Sequence, residues 1–408
     1  MTSTLIKQGI PIIFNHKYKP IATWLLGTST LVATIVHVGG VTRLTRSGLS
    51  MVEWKPLGNL PPLTVAEWKE EFNRYKQFPE WQQRKSMTLQ EFQYIYYWEW
   101  GHRMLGRAAG VCFVVPLAYF SMRKAIPPGY QARFLTLLCM GGTQGAIGWW
   151  MVKSGLGEDR RGDKGEIRVS PYRLATHLGM AFTTYSLLLW TGLDMASWPN
   201  TNRSGMVAQT LVTRLREALA ENKAMMKAAR KLRGGSIIVT GLTGLTVISG
   251  AFVAGNDAGN AYNIFPKMAT DGRWIPWEDL IDDNLQPMYR NLFENTATVQ
   301  LQHRILGVVT ATAAATLASI GLLHPLARQV VTPQVKHGLT AVGGIALTQM
   351  SLGITTLLYY VPIGLAAAHQ LGSLALLSSG IYLIHSFRYV PRPALLRGVR
   401  KVASTAAS

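Results

Sequence analysis

Residues 93–120 read QYIYYWEWGHRMLGRAAGVCFVVPLAYF, an almost uncharged run that is long enough to cross a bilayer. A membrane-spanning helix needs about 17–25 mostly apolar residues. Seven further runs of this kind lie at about 21–40, 134–152, 174–195, 235–254, 296–323, 338–360 and 363–386. The sequence therefore predicts an all-α membrane protein with eight transmembrane helices.

The run at 93–120 also contains a motif that recurs in the second half of the chain. Four matches keep the same order in both halves: His102-Arg-Met-Leu-Gly106 with His303-Arg-Ile-Leu-Gly307, Thr143-Gln144 and Gly148 with Thr348-Gln349 and Gly353, Ala175-Thr-His177 with Ala367-Ala-His369, and Gly40 with Gly250. Four spans return a chain to its starting side, so both halves have one topology. The repeat predicts two tandem four-helix bundles related by a pseudo-two-fold axis along the membrane normal.

The formal net charge of +20 comes from 41 Lys and Arg against 21 Asp and Glu, in a chain of which only 15% is charged. The loops on the side of both termini carry a net +19, whereas the opposite loops are neutral. This asymmetry places both termini in the matrix or cytoplasm. It explains the basic balance without a nucleic-acid partner.

The expected domains follow from these runs and loops. They are an inner-side segment at 1–20, an N-terminal bundle at 21–195, an inner-side linker at 196–234, a C-terminal bundle at 235–387 and a basic inner-side tail at 388–408. Within the linker, Val207–Arg233 has apolar residues at helical spacing among basic ones. It reads equally well as an amphipathic helix on the membrane surface and as a solvated linker helix.

Four of the nine histidines belong to the repeat, namely His102, His177, His303 and His369. Each half thus has one histidine on its second span and one on its fourth, all near the outer ends. Two facing imidazoles favour one haem per half. Zinc usually requires about four N or S ligands, and copper with two imidazoles is less natural. A lone histidine in a span is more often hydrogen-bonded to a neighbouring helix. Glycines in both halves are expected to allow close helix packing around the haem. They are Gly106, Gly110, Gly142, Gly145 and Gly148 in one half, and Gly307, Gly343, Gly344 and Gly353 in the other.

The ionisable groups inside the spans are few. Arg103, Arg107 and Arg304, or Arg43 and Arg46 in the first outer loop, are candidates to bind haem propionates, and snorkelling to the interface is the alternative. Glu99 precedes His102 by one helical turn, whereas Gln300 stands at the matching place before His303. A carboxyl in one half only indicates proton transfer there. The alternative is a carboxylate paired with Arg103 or Arg107.

Several motifs resemble heme A synthases of the mitochondrial and alphaproteobacterial branch over essentially the whole chain. They are His37-Val-Gly-Gly-Val-Thr-Arg-Leu-Thr-Arg-Ser-Gly-Leu-Ser50, Glu53-Trp-Lys-Pro56, Glu99-Trp-Gly-His-Arg-Met-Leu-Gly-Arg107 and His303-Arg-Ile-Leu-Gly307. The resemblance implies oxidation of the C8 methyl of haem O to the formyl group of haem A, for cytochrome c oxidase. It also implies that His102 and His177 face haem O or haem A, that His303 and His369 ligate haem b, and that Glu99 is the functional glutamate. Gln144, Gln349 and His37 are further candidates for cofactor binding.

The resemblance also carries expectations about partners and location. It implies a ferredoxin and its reductase as electron donors, and a multi-pass protein of the mitochondrial inner membrane, or of the bacterial inner membrane in a prokaryote. Haem O synthase, cytochrome oxidase assembly factors and a second copy of the chain are candidate partners. Many bacterial members have a cysteine pair in an outer loop, but Cys112 and Cys139 lie within spans here, which excludes a thiol-based role. Two other functions stay open: a di-haem b-type electron carrier and a haem-delivery assembly factor.

Overall fold

The computed structural model describes residues 18–51, 53, 55, 57–156, 167–197 and 203–390. For residues 203–211 it describes the backbone only. The expected inner-side segment 1–20 and basic tail 388–408 lie almost entirely outside these residues. Regular secondary structure in the described part is helical. The all-α prediction is therefore confirmed.

Ten helices of eleven or more residues organise the described chain. They are α1 (Lys19–Leu44), α2 (Val65–Tyr75), α3 (Leu89–Met122), α4 (Gln131–Lys153), α5 (Pro171–Ala196), α6 (Arg203–Glu221), α7 (Lys223–Gly255), α8 (Thr296–Leu323), α9 (Pro333–Leu358) and α10 (Ile363–Ser386). Short helical turns at Pro79–Gln83, Ala258–Asn260, Trp277–Asp279, Met288–Arg290, Asn291–Glu294 and Pro325–Arg328 lie in the connections.

Six of these helices (α1, α3, α7, α8, α9 and α10) are long and apolar enough to cross a membrane. The chain is therefore a multi-pass membrane protein. The other two expected spans correspond to α4 and α5, which have 23 and 26 residues. Polar groups such as Gln144 in α4 and Asp194 in α5 lower their apolar character. The prediction of eight spans therefore remains a prediction for these two helices.

The long helices contact one another in two sets. In the N-terminal half α1 packs against α3 and α5, and α4 packs against α5. In the C-terminal half α8 packs against α7 and α9, and α9 packs against α10. The halves meet where α5 contacts α7 and where α10 contacts α1 and α5.

The inner-side linker differs from the expected single amphipathic helix. A break at Asn222 divides it, because the Asn222 side chain accepts hydrogen bonds from the backbone N–H groups of Ala224 and Met225 and so begins a new helix. The second part continues without interruption into the fifth span, so residue 234 is not a helix boundary. Leu215 and Leu219 of α6 are fully buried in the core of the C-terminal half.

An aromatic cluster forms over the N-terminal end of α3. It begins with α2, whose N-terminus has a capping box formed by Thr64 and Glu67. Its buried residues are Met51, Trp68, Phe72, Tyr75, Phe92, Ile95 and Tyr96. The cluster fixes the first outer loop against the helix that carries Glu99 and His102.

Glu80 lies buried at the edge of this cluster and gives the outer loop a pH-dependent stability. Tyr75 Oη donates a hydrogen bond of 3.1 Å to its carboxyl group. Burial raises the pKa of Glu80 to about 7, although the nearby Arg84 opposes the shift. The unfolded value is near 4.3. Because the folded-state pKa is the higher one, the contribution of Glu80 to stability is complete below about pH 4 and is lost as the pH rises through about 7.

We expect Glu80→Gln to reduce the loss of stability between pH 4 and 8 by up to roughly 3 kcal/mol, since the neutral amide cannot ionise. Thermal unfolding of the detergent-solubilised protein across this range is the measurement. Glu70→Gln, at an exposed position of α2, is the matched control. A variant with the wild-type pH dependence would contradict the prediction.

Candidate functional site

Each of the four repeated histidines packs its ring against a glycine of a neighbouring helix. A Cβ atom on these glycines would lie 2.7–3.1 Å from the Cε1 atom of the imidazole: Gly39 with His102, Gly148 with His177, Gly250 with His303 and Gly353 with His369. Contacts this short leave no room for a side chain. The four glycines therefore set how closely the rings approach the neighbouring backbone.

These contacts correct one match in the sequence repeat. Gly39, not Gly40, occupies the place of Gly250, because both lie against the histidine of the second span in their half. Gly40 instead faces the Gln370 side chain of α10. Gln370 donates to the backbone oxygen of Val36, so Gly40 belongs to the interface between the halves.

The structure brings the C-terminal pair of histidines together. The ring centroids of His303 and His369 are 6.4 Å apart, with the ring planes at 85°. The Ser249 hydroxyl lies 2.7 Å from Nδ1 of His303 and so holds the ring in one orientation. Ser249 was not among the predicted site residues, although it directly precedes Gly250.

The repeated glutamines fix the histidines of the fourth and eighth expected spans. Gln144 donates through Nε2 to the backbone oxygen of His177, at 3.0 Å, and Gln349 donates in the same way to that of His369, at 2.8 Å. The Oε1 atoms of both glutamines are buried without a hydrogen-bond partner among the described residues. Nδ1 of His37 is buried in the same way.

Glu99 is buried and forms the ion pair that was the alternative at the sequence level. Its Oε1 atom lies 2.6 Å from the Arg103 guanidinium. Its Oε2 atom accepts hydrogen bonds from the Ser50 hydroxyl, at 2.7 Å, and the Met51 backbone N–H, at 2.9 Å. Gln300 anchors the equivalent loop of the other half by donating to the backbone oxygens of Ala258 and Ala261.

The candidate arginines have different partners. Arg103 and Arg107 donate to backbone oxygens of the first outer loop, at Met51 and Lys55 respectively. Arg304 donates to the backbone oxygens of Tyr262 and Lys267. No ion pair joins Arg304 to a described residue.

Arg43 has a different place from the one expected. It forms a 2.8 Å ion pair with Asp257 and donates to the backbone oxygen of Ala254, so it connects α1 to the end of α7. Arg168 lies 3.6 Å from the same carboxylate. Asp257 was missed at the sequence level, because nothing in a loop sequence indicates a partner more than 200 residues away.

The glycines expected to pack closely do so only in part. Gly148, Gly343 and Gly353 would meet a neighbouring side chain if they had a Cβ atom. Gly106, Gly110, Gly142, Gly145, Gly307 and Gly344 have nothing within 4 Å of that position. Most of these glycines therefore border open space, which corrects the expectation of close packing at their positions. In the described residues, no group of three or more His, Cys, Asp or Glu side chains is arranged for a metal ion.

Comparison with known proteins identifies the family. The model of the cytochrome oxidase assembly protein family matches residues 22–381. The chain belongs to this family. Heme A synthase COX15 of Arabidopsis thaliana is 41% identical over 404 residues, covering 98% of this chain and 82% of that protein. The human heme A synthase COX15 is 43% identical over 376 residues, covering 91% and 83%.

A third relative carries an additional domain. The heme A synthase-mitochondrial ferredoxin fusion protein of Schizosaccharomyces pombe is 41% identical over 381 residues, covering 90% of this chain and 59% of that protein. The resemblance found in the sequence motifs is therefore confirmed, and with it the oxidoreductase class of the family.

A polar cluster at the end of α5 remote from His177 was also missed. Asp194 of α5 lies 3.2 Å from Nε2 of His385 in α10 and 2.6 Å from the Arg133 guanidinium of α4. The position of His385, at the basic end of the last expected span, predicts an ordinary interfacial residue. The cluster instead joins helices of both halves.

Proposed function

We propose that this protein is a heme A synthase, which oxidises the C8 methyl group of haem O to the formyl group of haem A for cytochrome c oxidase. The observation that carries the proposal is the histidine–glycine contact. It occurs twice in each half, and only the N-terminal half adds a buried carboxylate, Glu99, one turn from its histidine.

The proposed architecture has eight membrane-spanning helices in two tandem four-helix bundles. Equivalent helices are α1 and α7, α3 and α8, α4 and α9, and α5 and α10. Gly39 and Gly250 make similar contacts with a histidine ring, and so do Gly148 and Gly353. These similarities support the assignment. The basic loops support an inner-membrane location with both termini in the matrix.

We assign a resident haem b to His303 and His369. Their ring centroids, 6.4 Å apart, leave room for one metal atom with metal–nitrogen bonds of about 2 Å. His102 and His177 are assigned to haem O and haem A, as substrate and product. Gly106 and Gly307, which lie one turn after His102 and His303 and have open space beside them, fit a flat macrocycle.

A bound haem iron would supply the redox chemistry that amino-acid side chains lack. The part of Glu99 in this site is to hold a proton. A carboxylate has about four acceptor positions, and Ser50, Met51 and Arg103 occupy three of them. The remaining position can accept a proton released near the substrate. Arg103 and Ser50 keep the carboxylate in place.

Arg304 is the best candidate to bind a propionate. It corresponds to Arg103, but the Glu99 of that pair is replaced by the neutral Gln300. Its described partners are backbone oxygens. An intramembrane guanidinium without a counterion is costly, and a propionate supplies the missing charge. Arg103 already has its carboxylate.

The electron donor is proposed to be an acidic ferredoxin that docks on the inner face, which the ferredoxin fusion in the S. pombe relative supports. A groove of about 430 Å³ lies at the start of α7 and is lined by Ala220, Lys223, Met226, Lys227, Arg230 and Lys231. None of the four cations forms an ion pair with a described residue. Opposite charge accelerates encounter between such partners.

Glu99→Gln is expected to keep both haems but to lower haem A formation by at least about 100-fold, since the amide cannot accept the proton. Haems extracted from the purified protein are identified by chromatography and mass, and haem O or a hydroxylated intermediate should accumulate. Ser50→Ala, which removes one donor but keeps the carboxylate, is the control. A normal yield of haem A would refute the role of Glu99, and haem B alone in the wild type would favour a di-haem electron carrier.

Arg304→Gln should speed the loss of the C-terminal haem about tenfold, as expected for losing one charge-assisted hydrogen bond. Haem transfer to an apo-acceptor protein, followed by absorbance, measures this rate. Arg43→Gln is the comparison, because Arg43 already has Asp257 as its counterion. Equal rates in the Arg304 variant and the wild type would remove Arg304 from the proposed site.

Replacing Lys223, Lys227, Arg230 and Lys231 by Gln is predicted to slow ferredoxin-dependent turnover and to weaken its dependence on salt. Turnover with a small chemical reductant should stay at the wild-type rate, which separates docking from catalysis. Lys69→Gln with Lys85→Gln, exposed on the opposite side, is the matched control. An unchanged salt dependence would contradict docking at this groove.

A further inference from the structure

The two halves differ in the spacing between their second and third long helices. In the C-terminal half α8 and α9 pack closely, and a Cβ atom on Gly343 would lie 2.8 Å from Cβ of Ala318. The equivalent helices α3 and α4 touch at only a few points.

Two pairs of equivalent residues show where the helices separate. The HRxLG register aligns Gly110 of α3 with Ala311 of α8, and the Thr-Gln register aligns Gly141 of α4 with Ala346 of α9. Ala311 and Ala346 are 5% and 1% exposed. Gly110 and Gly141 are smaller, yet they are exposed and have nothing within 4 Å of a Cβ position. A gap therefore lies between α3 and α4.

An indole side chain holds this gap open at its inner end. The Trp24 ring stacks on Phe134 of α4 at 5.7 Å and lies 5.3 Å from the Phe113 ring of α3. Its Nε1 atom donates to the backbone oxygen of Cys112. The register of Gly39 and Gly250 aligns Trp24 with Gly235, where a Cβ atom would lie 2.8 Å from Leu317. At this position the N-terminal half thus has a bulky indole side chain, whereas the C-terminal half has only the hydrogen atom of a glycine.

The glycines of the gap follow the proposed substrate site along the same two helices. Gly110 lies two turns after His102 on the same side of α3, and Gly141 lies two turns before Gly148 on α4. Gly148 packs directly against the His177 ring. The helix that carries His102 and the helix that packs on the His177 ring therefore both lead to the exposed glycines.

We propose, on the basis of the proposed function, that this gap is the exit through which the isoprenoid side chain of haem O passes into the lipid. Haem O carries a long isoprenoid chain where haem B has a vinyl group. A buried four-helix site has no room for such a chain, whereas an opening at mid-membrane depth lets it lie among lipid tails. The closed contact between α8 and α9 excludes the chain, so the C-terminal half selects a haem without it.

The test fills the gap. Purified Gly110→Leu and Gly141→Leu proteins in lipid nanodiscs are incubated with haem O or haem B, and the haem retained after gel filtration is extracted and identified by mass. Retention of haem O should fall at least about tenfold, because a side chain occupies the exit, while retention of haem B stays at the wild-type level. Gly344→Leu, on an exposed and open position of α9, should change neither. Wild-type retention of haem O, or an equal loss of both haems, would overturn the proposal.

A second measurement does not depend on tolerance of leucine. Gly141→Cys is introduced with Cys112→Ser and Cys139→Ser, and the rate of maleimide labelling is followed in nanodiscs. Bound haem O should slow labelling several-fold, whereas haem B should not. Equal rates with both haems would mean that only lipid fills the gap, which overturns the exit.

The two proposals fail separately. Protection by haem O without any formation of haem A would leave the exit standing and reject the synthase. Formation of haem A at the wild-type rate by both leucine variants would reject the exit and leave the synthase standing.

Discussion

The structure depends on four places where an imidazole lies against a backbone that has no side chain. At each of them a methyl group would come within about 3 Å of the ring. Glycine therefore allows the helix that carries the histidine to approach its neighbour until the two rings of a half can face one shared space. In the C-terminal half this leaves the rings 6.4 Å apart, and Ser249 and Gln349 hold their positions from outside. The close helix packing and the proposed haem site thus both depend on one kind of contact, that of a histidine ring with a glycine backbone.

The sequence was informative where a repeated pattern constrains many residues together, and uninformative where a single long-range contact decides. The histidines and glutamines could be predicted because each occurs twice in one order along apolar runs. The glycine match was wrong by one residue, at Gly40, because a helix presents successive residues about 100° apart and only the packing shows which one faces the ring. The partners of Arg43 and His385 could not be predicted, because Asp257 and Asp194 lie about 200 residues away. The break at Asn222 was missed, since the apolar spacing continues through it.

Differences between the halves are chemically more informative than the repeat itself. Glu99 with Arg103 in one half corresponds to Gln300 with Arg304 in the other, so one half contains its own counterion and the other lacks it. Trp24 corresponds to Gly235, so one half is held open and the other is closed. Both differences support the proposal that substrate chemistry takes place in the N-terminal half and that the C-terminal half holds a permanently bound haem.

Two ion-pair clusters connect the halves at opposite ends of the helices. Asp257 joins Arg43 to the C-terminal end of α7 at one end of the helices, and Asp194 joins α4 and α5 to His385 at the other end. Charges in such positions cost free energy unless they are paired, so a change in the angle between the halves would expose unpaired charge at both ends. Electron transfer between the two proposed haems would require a constant separation of their sites. The clusters would support that constant separation, because each of them joins charged groups from both halves.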